Sequence, residues 1–128
     1  IYQFCEGHRR RFKETYPEVS PGDRLIVRDF FREEFARDTG TLQVYFQNIR
    51  HMLAYALEEE VEQAFFLDVL WSLFSSWEKV LLFYYSLSEL DPDFAGLMAQ
   101  SGWVDQTLRT HLIFPGHYQL RPSQPPAD

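Results

Sequence analysis

The feature that most constrains this chain is one apolar, aromatic stretch, residues 70–90, which reads LWSLFSSWEKVLLFYYSLSEL. Its only charged side chains are Glu78, Lys79 and Glu89. A helix formed by this stretch is apolar on nearly all of its sides, which is typical of a buried central helix. We therefore predict an all-α fold, a compact bundle of about six or seven helices around a buried, aromatic-rich central helix.

A helix start is predicted inside this stretch. Residues 75–78, SSWE, match the capping box, in which a serine hydroxyl and a glutamate carboxylate satisfy free backbone N–H groups at a helix start. The motif predicts a break or kink near Ser75. A continuous helix whose serines bond back to their own backbone is the alternative.

Three amphipathic helices are predicted before this stretch, at about residues 1–15, 21–38 and 42–58. Ser20 and Pro21 form a cap-and-proline start for the second helix, and Thr41 can cap the third. The run Glu58-Glu59-Glu60 is interpreted as a solvated turn or helix start rather than a metal site. The spacing also predicts which side chains of each helix face inward. They are Tyr2, Phe4, Cys5, His8 and Phe12 in the first helix, Leu25, Ile26, Phe30, Phe31 and Phe35 in the second, and Leu42, Tyr45, Phe46, Ile49, Met52, Leu53, Ala56 and Leu57 in the third.

The C-terminal part is predicted to contain two short helices. Asp91 and Pro92 form another cap-and-proline start, which opens a helix with Phe94, Leu97 and Met98 facing inward. A last helix is expected over residues 103–112. The predicted domain therefore covers residues 1–118, and residues 119–128 form a proline-rich tail.

Charge and composition exclude several classes of protein. The 128 residues carry a net charge of −7, which argues against a broad nucleic-acid surface. The local exception, residues 8–13, is interpreted as a solvated face of the first helix or a juxtamembrane basic segment. The single cysteine excludes a disulfide framework and fits a reducing compartment. No apolar run approaches the roughly 18–20 residues that cross a bilayer, so the chain is expected to be soluble.

Few side chains suit catalysis or metal binding. Cys5 and His8 lie about one helical turn apart, but no third group orients them, which favours a core cysteine beside a surface histidine. The four histidines form neither an HExxH motif nor an i, i+4 pair. His111 and His117 flank a Pro-Gly turn, yet two ligands make a weak site. We predict no catalytic residue, no metal and no cofactor.

Glu78 has two interpretations. Its aromatic and aliphatic surroundings predict burial, which would raise the pKa of the carboxyl and suit a general acid or base. In the capping box, by contrast, backbone N–H groups and the helix dipole stabilise the anion. The cap is the favoured interpretation. Tyr84 and Tyr85 are expected to pack in the core, with at least one hydroxyl at a polar partner or at the surface.

Two segments together resemble a known family. They are residues 45–53, YFQNIRHML, and residues 70–88, LWSLFSSWEKVLLFYYSLS. They are similar to segments of the AbiC-like phage abortive infection proteins of bacteria, over about residues 24–118. The residues that match the family pattern are Ser75, Glu78, Tyr84 and His51.

The sequence also departs from the family pattern. Trp71 stands where members often have an arginine, and Leu73 stands where they have a polar residue. The resemblance implies a cytoplasmic domain and gives no catalytic mechanism. Many members carry transmembrane helices ahead of this domain. Since the chain begins at Ile1 rather than methionine, we expect a domain from a longer protein, tethered to the inner membrane by a preceding segment.

The resemblance implies an anti-phage domain that senses infection or binds a phage or host protein. Surface-exposed aromatic residues are then the expected site for a partner or for self-association. One alternative is a helical ribonuclease acting on host or phage RNA. Its arginine and histidine are separated by four to six residues, a spacing that neither Arg50 with His51 nor Arg109 with His111 provides. The other alternative is a structural or oligomerisation domain of a membrane-anchored protein.

Overall fold

The fold is a helical bundle. The computed structural model describes residues 2–16, 23–37 and 40–122. These residues form helices and no strand, which confirms the predicted all-α class. The α-helices are α1 (Tyr2–Thr15), α2 (Arg24–Arg37), α3 (Thr41–Glu58), α4 (Gln63–Ser72), α5 (Ser76–Ser88) and α6 (Pro92–Ser101), and the 3-10 helices are Trp103–Gln106, Arg109–His111 and Pro115–Leu120.

Helix α5 is the buried centre of the bundle. Residues 80–88 are buried except for the half-buried Tyr85, and the helix packs against α1, α2 and α6. Aromatic rings from the neighbouring helices stack directly on it. The ring of Tyr84 lies 4.3 Å from that of Phe31 in α2, and the ring of Tyr85 lies 3.8 Å from that of Phe46 in α3. The predicted aromatic-rich central helix is therefore confirmed.

The apolar stretch is broken where the capping box predicted. Helix α4 ends at Ser72 and α5 begins at Ser76. The Ser75 hydroxyl accepts a hydrogen bond from the Glu78 backbone at 3.1 Å. The Glu78 carboxylate in turn accepts one from the Ser75 backbone at 3.1 Å. The alternative of one continuous helix is wrong because these bonds start a new helix.

Replacing Ser75 with alanine tests how much this cap stabilises the fold. We expect Ser75→Ala to lower the free energy of unfolding by about 1 kcal/mol, because one backbone N–H at the start of α5 loses its acceptor. Urea unfolding followed by circular dichroism measures the change. The neighbouring exposed Ser76, already inside α5, provides the control variant Ser76→Ala. Equal stability of the two variants would contradict a role for the box.

The other predicted helix starts have mixed outcomes. The Asp91 carboxylate accepts from the Phe94 backbone at 3.1 Å, which confirms the start of α6. Helix α2 begins later than predicted, and Asp23 caps it by accepting from the Ile26 backbone at 3.2 Å. The predicted Ser20-Pro21 start lies outside the described residues. The Thr41 cap is wrong, since the N-cap position is Gly40, whose φ of 138° suits glycine.

Most predicted inward-facing side chains are buried or half-buried, and four are exposed. The exposed ones are Tyr2, Phe4, Leu25 and Met52. Leu25 lies on the opposite side of α2 from the buried Val27, and Met52 lies at the edge of the buried stripe of α3. Periodicity identified each helix but did not fix the limits of its buried face.

The C-terminal part is built from 3-10 helices, so the single helix predicted over residues 103–112 is wrong. Extended backbone at Thr107 and Leu108 separates the first two 3-10 helices. Trp103 is fully buried and donates its indole N–H to the Leu67 carbonyl at 3.2 Å. The described fold continues past residue 118 to an ion pair of 2.6 Å between Arg121 and Asp105. The rest of the predicted tail, residues 123–128, lies outside the described residues.

In the described part of the chain, no helix is long and apolar enough to span a bilayer.

Candidate interaction surface

The four residues that match the family pattern do not form one site. Ser75 and Glu78 come together in the capping box. Tyr84 lines a small cavity next to α1, whereas His51 lines a groove beside α3 and α4. Each position is therefore considered in its own surroundings.

Glu78 is a charged cap that also links two helices. The Tyr45 hydroxyl in α3 donates to the Glu78 carboxylate at 2.6 Å. Burial by itself raises the pKa of the Glu78 carboxyl, but the hydrogen bonds from Tyr45 and Ser75 outweigh it and lower the pKa. The favoured interpretation of Glu78 as a helix cap is therefore confirmed, and the alternative of a raised pKa is wrong. The carboxyl is ionised at neutral pH and has no proton to give as a general acid.

Tyr84 holds the C-terminal part of the chain against α5. Its buried hydroxyl accepts from the Ile113 backbone N–H at 2.8 Å and lies 2.7 Å from Nδ1 of His117. The hydroxyl and Nδ1 share one hydrogen bond, whose direction is set by the tautomer of the ring. Burial lowers the pKa of His117 to about 4, so the ring is neutral at pH 7. The pair is a buried polar anchor.

Cys5 is an inert core thiol. It donates to the Trp77 carbonyl at 3.4 Å, and burial raises its pKa to about 11. The cavity beside it measures about 10 Å³, which is room for about one water molecule. The core cysteine is confirmed, but the surface histidine is wrong. His8 is buried and lies 3.8 Å from the Glu34 carboxylate.

The basic cluster of α1 is only in part a solvated face, since Arg10 and Lys13 are exposed as predicted whereas His8 is buried. Arg11 donates through Nε to the buried carboxylate of Glu34 at 2.9 Å. Arg9 donates to the His111 carbonyl at 3.2 Å, and Lys13 lies over the ring of Phe114 at 5.5 Å. The sequence interpretation missed Glu34 as the partner that holds α1 to α2.

Arg50 and Arg109, which were compared with the ribonuclease motif, also contact neighbouring side chains. Arg50 in α3 lies 3.5 Å from Asp91 and 3.1 Å from Asp93 at the start of α6. Arg109 lies over the ring of Tyr118 at 4.2 Å. Within the described residues, no cluster of three or more His, Cys, Asp or Glu side chains could hold a metal ion. These arginines stabilise the packing of helices.

The most distinctive exposed region is an apolar patch on α3 and α4. Thirteen large apolar side chains are exposed among the described residues, and seven of them fall between residues 52 and 73. We call these seven the α3–α4 surface: Met52, Tyr55, Val61, Phe65, Phe66, Val69 and Leu73. Monomeric soluble proteins seldom leave such residues clustered in water, so the patch is a candidate binding surface.

The patch arises because α4 is apolar on both of its sides. Leu67 and Trp71 face the core. Phe65, Val69 and Leu73 follow one another at intervals of four residues on the outer side, with exposed fractions of 62%, 40% and 72%. Apolar helix faces are normally buried, so the outer side of α4 lacks a cover within the described residues.

A groove runs along this patch. It has a volume of about 560 Å³, and it is lined by His51, Met52, Tyr55, Ala56, Glu59, Phe66 and Leu70. Its volume lies in the range of sites that bury a ligand or a segment of a partner. His51 therefore has a place at this groove, where it adds a polar group to an apolar wall.

The surroundings of the groove are acidic. Four carboxylates stand where α3 leads into α4, at Glu58, Glu59, Glu60 and Glu62, and Glu59 lines the groove itself. The first three belong to the run interpreted as a solvated turn or helix start. Glu58 ends α3 and Glu59 is its C-cap, which confirms the turn. The surface therefore combines an apolar centre with a negative rim.

Comparison with known proteins finds no family model, no curated protein and no solved structure that matches this chain. The resemblance to abortive infection proteins stays a prediction from residues 45–53 and 70–88.

Proposed function

We propose that this chain is a protein-interaction domain of a bacterial anti-phage system and that it binds a phage or host protein through the α3–α4 surface. The observation that carries the proposal is the outer face of α4, on which Phe65 and Leu73 are 62% and 72% exposed. Covering apolar surface gains about 25 cal/mol per Å². Binding of a partner that covers these side chains is therefore favoured by the hydrophobic effect.

The chemistry of the other candidates favours binding over catalysis. The thiol of Cys5 is protonated at neutral pH because its pKa is about 11. The ring of His117 is fully buried, and the Glu78 carboxylate is occupied by the cap and by Tyr45. These groups support the fold, whereas the α3–α4 surface has no structural task that the described residues explain.

The defence role is supported by the place of the resemblance in the chain. Residues 45–53 supply His51 and Met52 to the groove, and residues 70–88 supply Leu70 to the groove and Leu73 to the apolar patch. The two segments that resemble abortive infection proteins therefore both reach the surface proposed to bind a partner.

Phage plating tests this function on cells that carry the full gene. We expect the intact gene to reduce plaque numbers, and Phe65→Ser to restore them at an unchanged protein level. The reason is that serine removes an apolar contact from the centre of the patch while Phe65, being 62% exposed, contributes little to the core. The measurement is the efficiency of plating, with immunoblots for protein level.

Leu25→Ser is the matched control, since Leu25 is 59% exposed on α2 and lies outside the α3–α4 surface. This variant should still protect. Equal plating with and without the intact gene would contradict the defence role. Loss of protection in both variants alike would contradict the role of the surface.

A further inference from the structure

We infer that the partner of the α3–α4 surface presents a cationic amphipathic helix, an inference that rests on the proposed function. Three observations lead to this class of partner: the spacing of the apolar side chains, the charge around them, and the use that the chain makes of its own basic residues.

The spacing fits a helix laid against α4. Phe65, Val69 and Leu73 form a ridge that repeats every four residues, and Met52 and Phe66 line or border the groove beside it. Helices pack by fitting such ridges into the grooves of a neighbour. An amphipathic helix with apolar residues at i, i+3, i+4 and i+7 matches this geometry. Methionine adapts to the shape of the inserted side chains.

The charge around the groove selects a basic partner. Glu59 lines the groove, and Glu58, Glu60 and Glu62 lie beside it where α3 leads into α4. Lysine and arginine on the flanks of a partner helix complement this rim and accelerate association. A second copy of the chain would bring an equal set of carboxylates to the same place, because a two-fold interface joins identical patches. Nucleic acids and anionic lipids are repelled for the same reason.

Two arginines of the basic cluster in α1 bond inside the bundle. Arg9 bonds the His111 carbonyl and Arg11 bonds Glu34, both within the same molecule. Helix α1 is therefore an integral part of the bundle and does not supply the cationic helix. We assign the complementary charge to a separate partner.

A synthetic peptide tests the inference. The probe is a helical peptide of about 14 residues, roughly 21 Å long, with leucine at helical spacing and lysine on the flanks. One comparison peptide has the same composition in scrambled order, and another has glutamate in place of lysine. Binding of each to the whole chain is measured by fluorescence anisotropy at low and high salt. We expect the helical lysine peptide to bind about tenfold tighter than either comparison peptide.

Variants of the protein separate the apolar from the charged contribution. We expect Phe65→Ser to weaken binding of the lysine peptide about tenfold, as removal of a central apolar contact does. The double variant Glu59→Gln, Glu62→Gln should weaken binding mainly at low salt, where charge attraction is least screened. Leu25→Ser should bind as the unaltered chain does.

Three outcomes would overturn the inference. They are equal binding of the glutamate peptide, equal binding of the scrambled peptide, and indifference to Phe65→Ser. A concentration-dependent dimer in sedimentation that Phe65→Ser abolishes would identify a second copy as the occupant and overturn it as well. If phage protection depends on Phe65 but the lysine peptide does not bind, the inference fails while the proposed function stands. If neither depends on Phe65, both fail.

Discussion

Replacing Tyr84 with phenylalanine is expected to lower the free energy of unfolding by about 2–4 kcal/mol. The substitution keeps the ring that stacks on Phe31 and removes only the hydroxyl. That hydroxyl serves two buried partners, the Ile113 N–H at 2.8 Å and His117 Nδ1 at 2.7 Å. Both partners are buried and lose a hydrogen bond, so each contributes a desolvation cost. Urea unfolding measures the loss.

The adjacent Tyr85 provides the control. It is half-buried, and its ring stacks on Phe46 at 3.8 Å. Tyr85→Phe should cost less than about 1 kcal/mol because its surroundings are more open to water. Hydrogen exchange adds a local readout, since the Ile113 amide should exchange faster in Tyr84→Phe alone. Equal stability of the two variants with slow Ile113 exchange in both would show that the hydroxyl is not an anchor.

The parts of the fold that sequence predicted correctly are those set by local interactions. The break before α5 depends on Ser75 and Glu78, three residues apart, and the start of α6 depends on Asp91 and Pro92. The burial of α5 follows from an apolar composition on all of its sides. Such features need no knowledge of which helices become neighbours, so the pattern alone is sufficient.

Features that depend on distant residues could not be predicted in this way. The lowered pKa of Glu78 requires Tyr45, which lies 33 residues away in sequence. The basic side chain of Arg11 is drawn into the fold by Glu34, 23 residues further along the chain. The position of Glu34 did offer a signal, because it falls three residues after Phe31 on the buried side of α2.

The candidate surface shows the same limit. The sequence predicted that exposed aromatic residues would bind a partner, and the α3–α4 surface contains Tyr55, Phe65 and Phe66. It did not identify the helix, because α4 is apolar on two sides and either could have faced the core. The position of Trp103 against Trp71, at 5.2 Å between rings, places Trp71 inward. The opposite side of α4 is consequently left in contact with water.

Acidification is expected to destabilise this protein partly through His117. Burial lowers the pKa of His117 in the folded state to about 4, from 6.5 in the unfolded chain. Above about pH 6.5 both states are neutral and the group has no effect on stability. Between about pH 6.5 and 4 the unfolded state binds the proton first, so stability falls as pH falls, by at most about 3 kcal/mol in total. Below about pH 4 this contribution is constant.

The variant His117→Asn isolates this contribution from that of the carboxylates. Its amide group can replace Nδ1 as the hydrogen-bond partner of the Tyr84 hydroxyl, and it does not titrate. The variant is expected to be less stable than the parent at pH 7, since the ring is lost from contacts with Phe12 and Phe114. Its stability should nevertheless fall less steeply between pH 6.5 and 4, as urea unfolding at several pH values would measure. Parallel stability curves for the two proteins would mean that His117 binds its proton equally in both states.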